Sequence, residues 1–346
     1  MTDLYKSCTI CPRACGVNRL AGETGFCGET AALRAAAAVI HRGEEPPLVG
    51  TGGSGTIFIS GCNLGCVYCQ NYQVSQGESR GERIATRGEW IATRGARSDR
   101  IAALGGVVCA EEFAAICAAL RGRGAENINI VTGSHAVPGI VEGIIMAKEA
   151  GALEVSQRGK MPILWNSSGY DSLEMLELLK EHIDIFLPDL KTLDGRISAK
   201  FSNAPDYPQT AEAAIRKMID IVHEKSSARG ELAAAREKVI IRHLILPGYL
   251  ESTRSVLRWF ADNAKGRAML SLMTQYTPIP GREKIAPNRY VRKEDYETVM
   301  GWLEEFGIED GFCQELVTGS EWLPDFTRTN PFPSKLSVPV WPTSRT

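Results

Sequence analysis

Long apolar runs, an excess of one charge and a leader-like start are all missing from this sequence. No apolar run reaches the roughly 18–20 residues that a helix needs to cross a bilayer, and residues 1–6 carry no apolar core of a signal peptide. The formal net charge is only −2, which gives no general attraction to nucleic acid or to an anionic membrane. We therefore expect a cytoplasmic protein with no nucleic-acid partner and no membrane.

Cysteine, in contrast, is concentrated at one end of the chain. Seven of the ten cysteines fall within the first 69 residues, at positions 8, 11, 15, 27, 62, 66 and 69. In a reducing compartment, closely spaced cysteines bind metals more often than they form disulfides. This concentration predicts metal chemistry in the amino-terminal part of the chain.

The length and composition allow one full α/β domain with added segments. The chain has 346 residues, of which 44% are apolar and 23% charged, and an α/β barrel takes about 250 residues. We predict a cysteine-rich metal-binding segment over 1–50, a barrel over 51–280, and a carboxy-terminal helix with a wrapping tail over 281–346. The tail is rich in proline and can bury little on its own, so it should wrap the barrel or stay loose.

Between residues 56 and 276, strand-like runs alternate with amphipathic stretches, which is typical of parallel strands joined by helices. The sequence therefore predicts a partial (β/α)6 TIM-like barrel with six strands. The predicted strands are 56–62, 127–132, 162–167, 184–190, 239–246 and 269–276, and the predicted helices are 110–121, 138–150, 172–181, 209–224, 252–263 and 293–306. We expect the glycine-rich stretch 50–55 to pass close to the metal site. The Gly- and Arg-rich insert 77–106 is either a solvated loop or a docking lid.

The stretch that follows the first predicted strand carries the strongest chemical signal. Cys62, Cys66 and Cys69 form a C-x3-C-x2-C pattern, and a [4Fe–4S] cluster has four irons for thiolates to bind. Three cysteines would hold such a cluster and leave one iron open to a group that is not protein. A zinc site with a fourth thiolate, or three plain thiols, are the alternatives. Zinc sites usually show paired C-x2-C elements, and this loop has no second pair.

This spacing, placed after a strand, resembles the radical S-adenosylmethionine (radical SAM) superfamily. The resemblance implies that S-adenosylmethionine (SAM) binds the open iron through its amino and carboxylate groups, with Tyr68 against the adenine. It also implies a short loop, here Thr132, Gly133 and Ser134, at the amino group of the methionine moiety. His135 replaces the acidic residue common at the end of that loop, so it contacts substrate or supports the site from behind.

Residues 55–280 also resemble the glycyl-radical-enzyme activating enzymes, the pyruvate formate-lyase activase group. The resemblance rests on the ends of three strands, which read Trp-Asn-Ser-Ser-Gly-Tyr, Pro-Asp-Leu-Lys and Arg-His-Leu-Ile-Leu-Pro-Gly. It implies that Lys191 pairs with the SAM carboxylate and that Asp189, Asn166 and Ser167 form a small cation pocket. Arg242, on the fifth strand, is a further candidate contact to the cofactor. Asn166 departs from the group's pattern, because an amide replaces a carboxylate.

The amino-terminal cysteines suggest a second centre. Cys8, Cys11, Cys15 and Cys27 lie among Pro and Gly turns in a segment with too few apolar residues to fold unaided. A structural zinc and an auxiliary iron–sulfur cluster both fit, and four reduced thiols are the alternative. We expect Cys109 and Cys117 to pack in a helix, and His41, His182 and His223 to lie at the surface.

Together these observations predict an enzyme that reductively cleaves SAM to a 5′-deoxyadenosyl radical, which abstracts hydrogen. We expect a flavodoxin- or ferredoxin-type electron donor and a polypeptide target, as for a glycyl-radical activase. A small-molecule substrate is the first alternative. A non-catalytic iron–sulfur electron-transfer or metal-binding protein is the second, and it would need no SAM pocket.

Overall fold

The computed structural model describes residues 2–76, 104–155, 159–229 and 238–342. Its centre is one large sheet whose strands run in the order β11-β10-β9-β8-β7-β4-β2-β1-β12, with β3 paired to β1. The strands are β1 Arg34–His41, β2 Ser54–Ile59, β3 Gly106–Val107, β4 Ile128–Val131, β5 Glu154–Val155, β6 Gly159–Lys160, β7 Ile163–Ser167, β8 Ile185–Pro188, β9 Lys238–Leu244, β10 Met269–Met273, β11 Gly311–Cys313 and β12 Ser337–Trp341.

Helices follow most of the parallel strands, as in a βα barrel. They are α1 Pro46–Val49, α2 Tyr72–Ser75, α3 Ala110–Gly122, α4 Val137–Glu149, α5 Leu173–Leu179, α6 Gly195–Ser202, α7 Tyr207–Arg229, α8 Leu250–Asn263 and α9 Lys293–Glu305. Two 3-10 turns lie at Thr2–Tyr5 and Arg19–Ala21. Within the described part of the chain, no helix combines the length and the apolar character that crossing a membrane requires.

The predicted partial barrel is confirmed. All six predicted strands are present and pair in parallel, and the sheet does not close on itself. A seventh parallel strand, β11, adds to β10. The sequence did not reveal β11 because three residues give no usable period.

Two antiparallel strands beside β2 were not predicted either. β1 pairs with β2, and β12 pairs with β1. β1 lies in the predicted cysteine-rich segment and contains four alanines in a row, which are poor strand formers. β12 lies in the predicted tail and contains Pro339, a residue that edge strands tolerate. The predicted division of the chain at residues 50 and 280 stays a prediction.

Because β1 runs against the parallel strands, it delivers the next segment to their amino-terminal ends. His41, the last residue of β1, is opposite Ser54, the first residue of β2. The chain then turns under the barrel, where Leu48 packs against Leu164, Ile185, Leu187 and Ile240. This apolar cluster closes the floor of the barrel. His41 itself is buried, with its ring against Phe332 of the tail, which corrects the prediction of a surface position.

The tail between β11 and β12 joins the two edges of the open sheet. Phe326 and Phe332 are buried in a cluster with Phe58 of β2, and the Phe58 and Phe326 rings lie 5.1 Å apart. The tail therefore wraps the barrel, which was one of its two predicted arrangements.

The structure also tests the predictions made for two cysteines and two histidines outside the cavity. Cys117 is buried in α3, as expected, whereas Cys109 caps the start of that helix and is exposed. His182 is partly exposed and His223 fully so. Of the predicted insert 77–106, residues 77–103 lie outside the described residues.

The glycine-rich stretch 50–55 does not pass near the cysteines, contrary to the prediction. It lies at the amino-terminal end of β2, whereas Cys62 follows the carboxyl end. The Glu126 carboxylate accepts hydrogen bonds from the backbone N–H groups of Thr51 and Gly52. A Cβ atom at Gly52 would lie 1.8 Å from the carbonyl oxygen of Gly124. The glycine is therefore required by close contact between two backbone segments.

We predict that Gly52→Ala lowers the free energy of unfolding by about 3 kcal/mol, because the new methyl group must push two backbone segments apart. Gly122→Ala is the matched control, since open space surrounds a Cβ there. In that helical position alanine should stabilise by about 0.5–1 kcal/mol. Urea unfolding of both variants measures the difference. Equal stability of the two variants would contradict the close contact.

Candidate active site at the carboxyl ends of the strands

One cavity at the carboxyl ends of the strands collects most of the residues that the sequence singled out. Ten of the predicted site residues line it: Cys62, Cys66, Tyr68, Cys69, Thr132, Asn166, Ser167, Asp189, Lys191 and Arg242. Gly133 and Ser134 are not part of this lining. Parallel strands bring their carboxyl ends to one edge of a sheet, so residues far apart in sequence meet here.

The loop that bears the three cysteines starts with a sharp turn. Gly61, directly after β2, has φ +80°, a conformation that side chains other than glycine rarely adopt. Backbone hydrogen bonds then tie the loop to the end of α6, from the Gly65 N–H to Ser202 and from the Val67 N–H to Phe201. The Arg282 guanidinium donates to the Val67 carbonyl at 2.9 Å. The loop is thus held from both sides.

The three thiols face the cavity from different positions along this loop. The Sγ atom of Cys66 lies 3.3 Å from the Ser202 hydroxyl, and that of Cys69 lies 3.3 Å from the Ser75 hydroxyl. Cys62 Sγ accepts the Leu64 N–H. Burial raises the pKa of the Cys69 thiol, so a thiolate at Cys69 is favoured when a positive group such as a metal is present.

Within the described ranges, no three or more His, Cys, Asp or Glu side chains are gathered around one point that could hold a single metal ion. A [4Fe–4S] cluster does not require its thiolates to meet at one point, because it offers four irons to them. Three soft sulfur donors on one short loop, facing a common cavity, suit the cluster better than a zinc ion.

The four amino-terminal cysteines, which are the second predicted centre, do not form a single-ion site in the described residues either. Cys8, Cys11 and Cys27 are buried and Cys15 is partly exposed, and burial followed by the nearby Cys27 raises the pKa of the Cys11 thiol. These four thiols are likewise not gathered at single-ion distances. A metal in this segment stays a prediction.

The amino-terminal segment supports the cysteine loop through the contacts of Arg13. Arg13 donates to the backbone carbonyls of Asn63 and Asn203, at 2.8 and 2.7 Å. Its guanidinium also lies over the Phe26 ring, 3.7 Å from the centroid. The sequence analysis did not single out Arg13, because a lone arginine in a cysteine-rich segment has no spacing signal.

His135 has a supporting position too. It is buried, and its Nε2 atom lies 2.8 Å from the Ser60 carbonyl, one residue before the turn at Gly61. Arg19 and Tyr5 both donate to the His135 carbonyl. Of the two predicted roles, the structure favours support from behind the site over contact with a substrate.

Asp189 and Lys191 form an ion pair on the cavity wall. Lys191 Nζ lies 2.6 Å from Asp189 Oδ2, and both side chains are mostly buried. Burial is the largest single effect and lowers the pKa of Lys191, but the negative charges of Asp189, Cys66 and the neighbouring tyrosines together outweigh it and raise that pKa well above the ordinary value. The ammonium group is therefore charged and already close to a carboxylate, the group it was predicted to bind.

A buried acid that the sequence analysis missed, Asp171, connects the ends of two strands. Its two carboxylate oxygens accept hydrogen bonds from the hydroxyls of Ser134 and Ser167, each at 2.5 Å. Ser134 therefore points to Asp171. Asp171 comes five residues after Asn166 in a turn of small polar residues, a setting in which an acid usually faces solvent.

The floor of the cavity carries a second set of charges, also missed. Glu44 and Glu45 rise from the segment under the barrel, and the Arg242 guanidinium lies 3.6 Å from Glu44 Oε2 and 3.2 Å from Glu45 Oε1. Burial raises the pKa of Glu44 to about 7, against the lowering effect of Arg242. Arg242 lines the cavity as predicted, but its partners are these carboxylates.

Aromatic side chains of the tail complete the lining on the same side. Trp322 and Phe332 line the cavity together with His41 and Phe58. The His41 and Phe332 rings meet edge to face at 4.7 Å.

Tyr68, the residue predicted to face adenine, contacts the rings of Phe201 and Tyr276.

Comparison with known proteins gives one sequence relative and solved structures of low similarity. The uncharacterized protein MJ0674 of Methanocaldococcus jannaschii is 27% identical over 308 residues, which cover 89% of this chain and 77% of that protein. Streptococcus suis SuiB, solved with its precursor peptide SuiA, has a TM-score of 0.45 and 13% identity, covering 73% of this chain and 46% of SuiB. This chain thus spans just under half the length of SuiB.

A domain of a pyruvate-formate lyase-activating enzyme from Bacteroides vulgatus has a TM-score of 0.35 and 11% identity, covering 51% of this chain and 91% of that domain. The decisive match is to a sequence family. The model of the radical SAM superfamily matches residues 56–254, which is more than half of the chain and spans the cysteine loop and the strand ends that line the cavity. The protein belongs to the radical SAM superfamily.

Proposed function

We propose that this protein is an enzyme that cleaves SAM reductively and uses the resulting 5′-deoxyadenosyl radical to abstract hydrogen from a substrate in the same cavity. The observation that carries the proposal is the shared cavity, in which three thiols, a charged lysine and the ends of five strands, β4, β7, β8, β9 and β10, face one another. An electron-transfer protein would need no such cavity, because electrons do not require a bound small molecule.

Cys62, Cys66 and Cys69 would hold a [4Fe–4S] cluster, which supplies the low-potential electron when it is bound. A flavodoxin- or ferredoxin-type donor fits that need. The other residues bind and orient. Lys191 would turn from Asp189 to the SAM carboxylate, and Tyr68 would lie against the adenine. Thr132 would present its backbone to the amino group.

Asp189, Asn166 and Ser167 would then form the predicted cation pocket. The Ser167 hydroxyl donates a hydrogen bond to Asp171 and accepts one from the Gly169 N–H, so one lone pair remains to face the cavity. Lone pairs are what a cation needs. Once Lys191 binds the SAM carboxylate, the Asp189 carboxylate becomes available to a cation.

The tail helps to decide which kind of substrate the cavity can admit. It joins both edges of the open barrel and places Trp322 and Phe332 in the cavity. A folded partner that inserts a backbone glycine would need this space. The geometry therefore favours a small molecule over the folded glycyl-radical partner that the activase resemblance implies. A polypeptide target is kept as the second candidate.

The cluster assignment predicts that Cys66→Ala abolishes SAM cleavage under anaerobic reduction, because the cluster loses one of three protein ligands. Cys117→Ala is the matched control, since Cys117 is equally buried but lies in α3 and does not line the cavity. Iron content, electron paramagnetic resonance and 5′-deoxyadenosine formation are the measurements. Full activity in Cys66→Ala would sink the assignment.

Lys191→Met should weaken SAM binding about ten- to a hundred-fold. A hydrogen bond to a charged group contributes about 1.5–3 kcal/mol, and each 1.4 kcal/mol is a factor of about ten in affinity. Equilibrium dialysis with reconstituted protein measures it. Lys180→Met serves as the control, because Lys180 is partly exposed, pairs with Glu177 on the surface and does not line the cavity. Unchanged affinity in Lys191→Met would remove this residue from the cofactor site.

The target can be tested by fractionating a cell extract by size. We expect the low-mass fraction, and not the retained macromolecules, to stimulate 5′-deoxyadenosine formation by the reduced, SAM-loaded protein. If only the macromolecular fraction stimulates, the second candidate, a polypeptide target, is correct.

A further inference from the structure

One wall of the cavity is left unused by the proposed SAM contacts. It consists of Glu44 and Arg242 at the floor, with His41, Trp322 and Phe332 beside them. If SAM occupies the cysteine loop and the neighbouring strand ends, this wall is the part of the cavity that remains for the substrate. The inference below therefore rests on the proposed function.

Negative charge exceeds positive charge at this floor. Two carboxylates, Glu44 and Glu45, share one guanidinium, that of Arg242. Glu45 Oε1 also accepts a hydrogen bond from the Ser271 hydroxyl at 2.8 Å, and Glu44 Oε1 accepts one from the Asn129 amide at 3.1 Å. With both carboxylates ionised, one negative charge is in excess. Burial away from water raises the pKa of Glu44 to about 7, so near neutral pH Glu44 needs either a proton or a further positive group.

Hydrogen-bond acceptors at the floor also lack donors. Glu44 Oε2, Glu45 Oε2 and Asn129 Oδ1 are buried and accept no hydrogen bond from the residues described. Asn129 is fully buried in β4, and its amide nitrogen already donates to Glu44, so its oxygen belongs to the same polar group. Arg242 does not supply the missing donors, because its Nε is close to Glu45 but not aligned for a hydrogen bond.

A buried acceptor without a donor costs about 1–3 kcal/mol. Of the three residues, Glu44 is the one that lines the cavity, so a ligand with a positively charged N–H donor there would pair with its carboxylate and balance the two acids. An anion would bind less well, because the guanidinium that it needs already lies between two carboxylates. The aromatic rings of Trp322 and Phe332 add an apolar surface, and aromatic faces attract cations.

We propose that Glu44, supported by Glu45 and Asn129, binds a positively charged nitrogen of the substrate, an alkylammonium or a guanidinium, whose apolar part lies against Trp322 and Phe332. Arg242 holds the two carboxylates in place. The proposal assigns the substrate to a chemical class, amines and guanidines with an apolar body, and it applies equally to a free small molecule and to a flexible chain end.

The test uses three probes of one shape and different charge: phenethylammonium, phenethyl alcohol and phenylacetate. Saturation-transfer nuclear magnetic resonance gives their dissociation constants for the full chain, with and without SAM. We expect the cation to bind about ten-fold more tightly than the neutral probe, and the anion to bind most weakly. This comparison needs no variant, so it does not depend on how a substitution folds.

A variant then locates the contact. Glu44→Gln should weaken binding of the cation about ten-fold, equivalent to about 1.4 kcal/mol, and leave the neutral probe unchanged. Glu142→Gln is the matched control, because it makes the same chemical change on an exposed position of α4. No preference for the cation in the natural protein, or unchanged cation binding in a folded Glu44→Gln, would overturn the proposal.

SAM binding, measured on the same samples, separates this inference from the proposed function. If SAM binds and the probes do not discriminate by charge, the inference alone fails. If the cation binds at Glu44 and SAM does not bind, the proposed function fails while the charge preference of the floor is retained.

Discussion

The hydrogen-bonded pairing of β1 with β2 is the constraint on which the rest of the structure depends. Because β1 is antiparallel, its carboxyl end reaches the amino-terminal ends of the barrel strands, and the next segment must turn beneath them. That turn places Glu44 and Glu45 inside the barrel. The free edge of β1 also receives β12, so the tail must cross the barrel to reach it. One pairing thus sets both the floor and the cover of the cavity.

The sequence predicted the part of the fold that repeats. Six strands and the helices between them have clear periods, and their carboxyl ends carry Thr132, Asn166, Asp189 and Lys191, which do share one cavity. What it could not predict was structure that depends on partners distant in the chain. The alanine-rich β1 has little intrinsic preference for a strand, and it forms one because β2 and β12 lie on either side.

The same reason explains which site residues were missed. Asp171, Glu44 and Glu45 are acids in turn-like stretches, where acids normally face water. Only the assembled barrel shows that they are buried against Ser134, Ser167 and Arg242. The three cysteines needed no such information, because their ligand spacing is local. Local patterns therefore identified the cysteine loop, and the tertiary structure was needed to reveal the buried acids at the floor of the cavity and behind its strand ends.

The tail packs against the segment under the barrel where Trp322 lies on Gly43. A Cβ at Gly43 would lie 2.7 Å from the Trp322 ring, so the indole rests directly on the backbone that precedes Glu44. The carboxylate proposed to recognise the substrate therefore follows directly on a backbone position that packs against the tail. Any side chain at position 43 would push the indole away from the segment that carries Glu44, so the glycine sets how closely the tail can cover the floor.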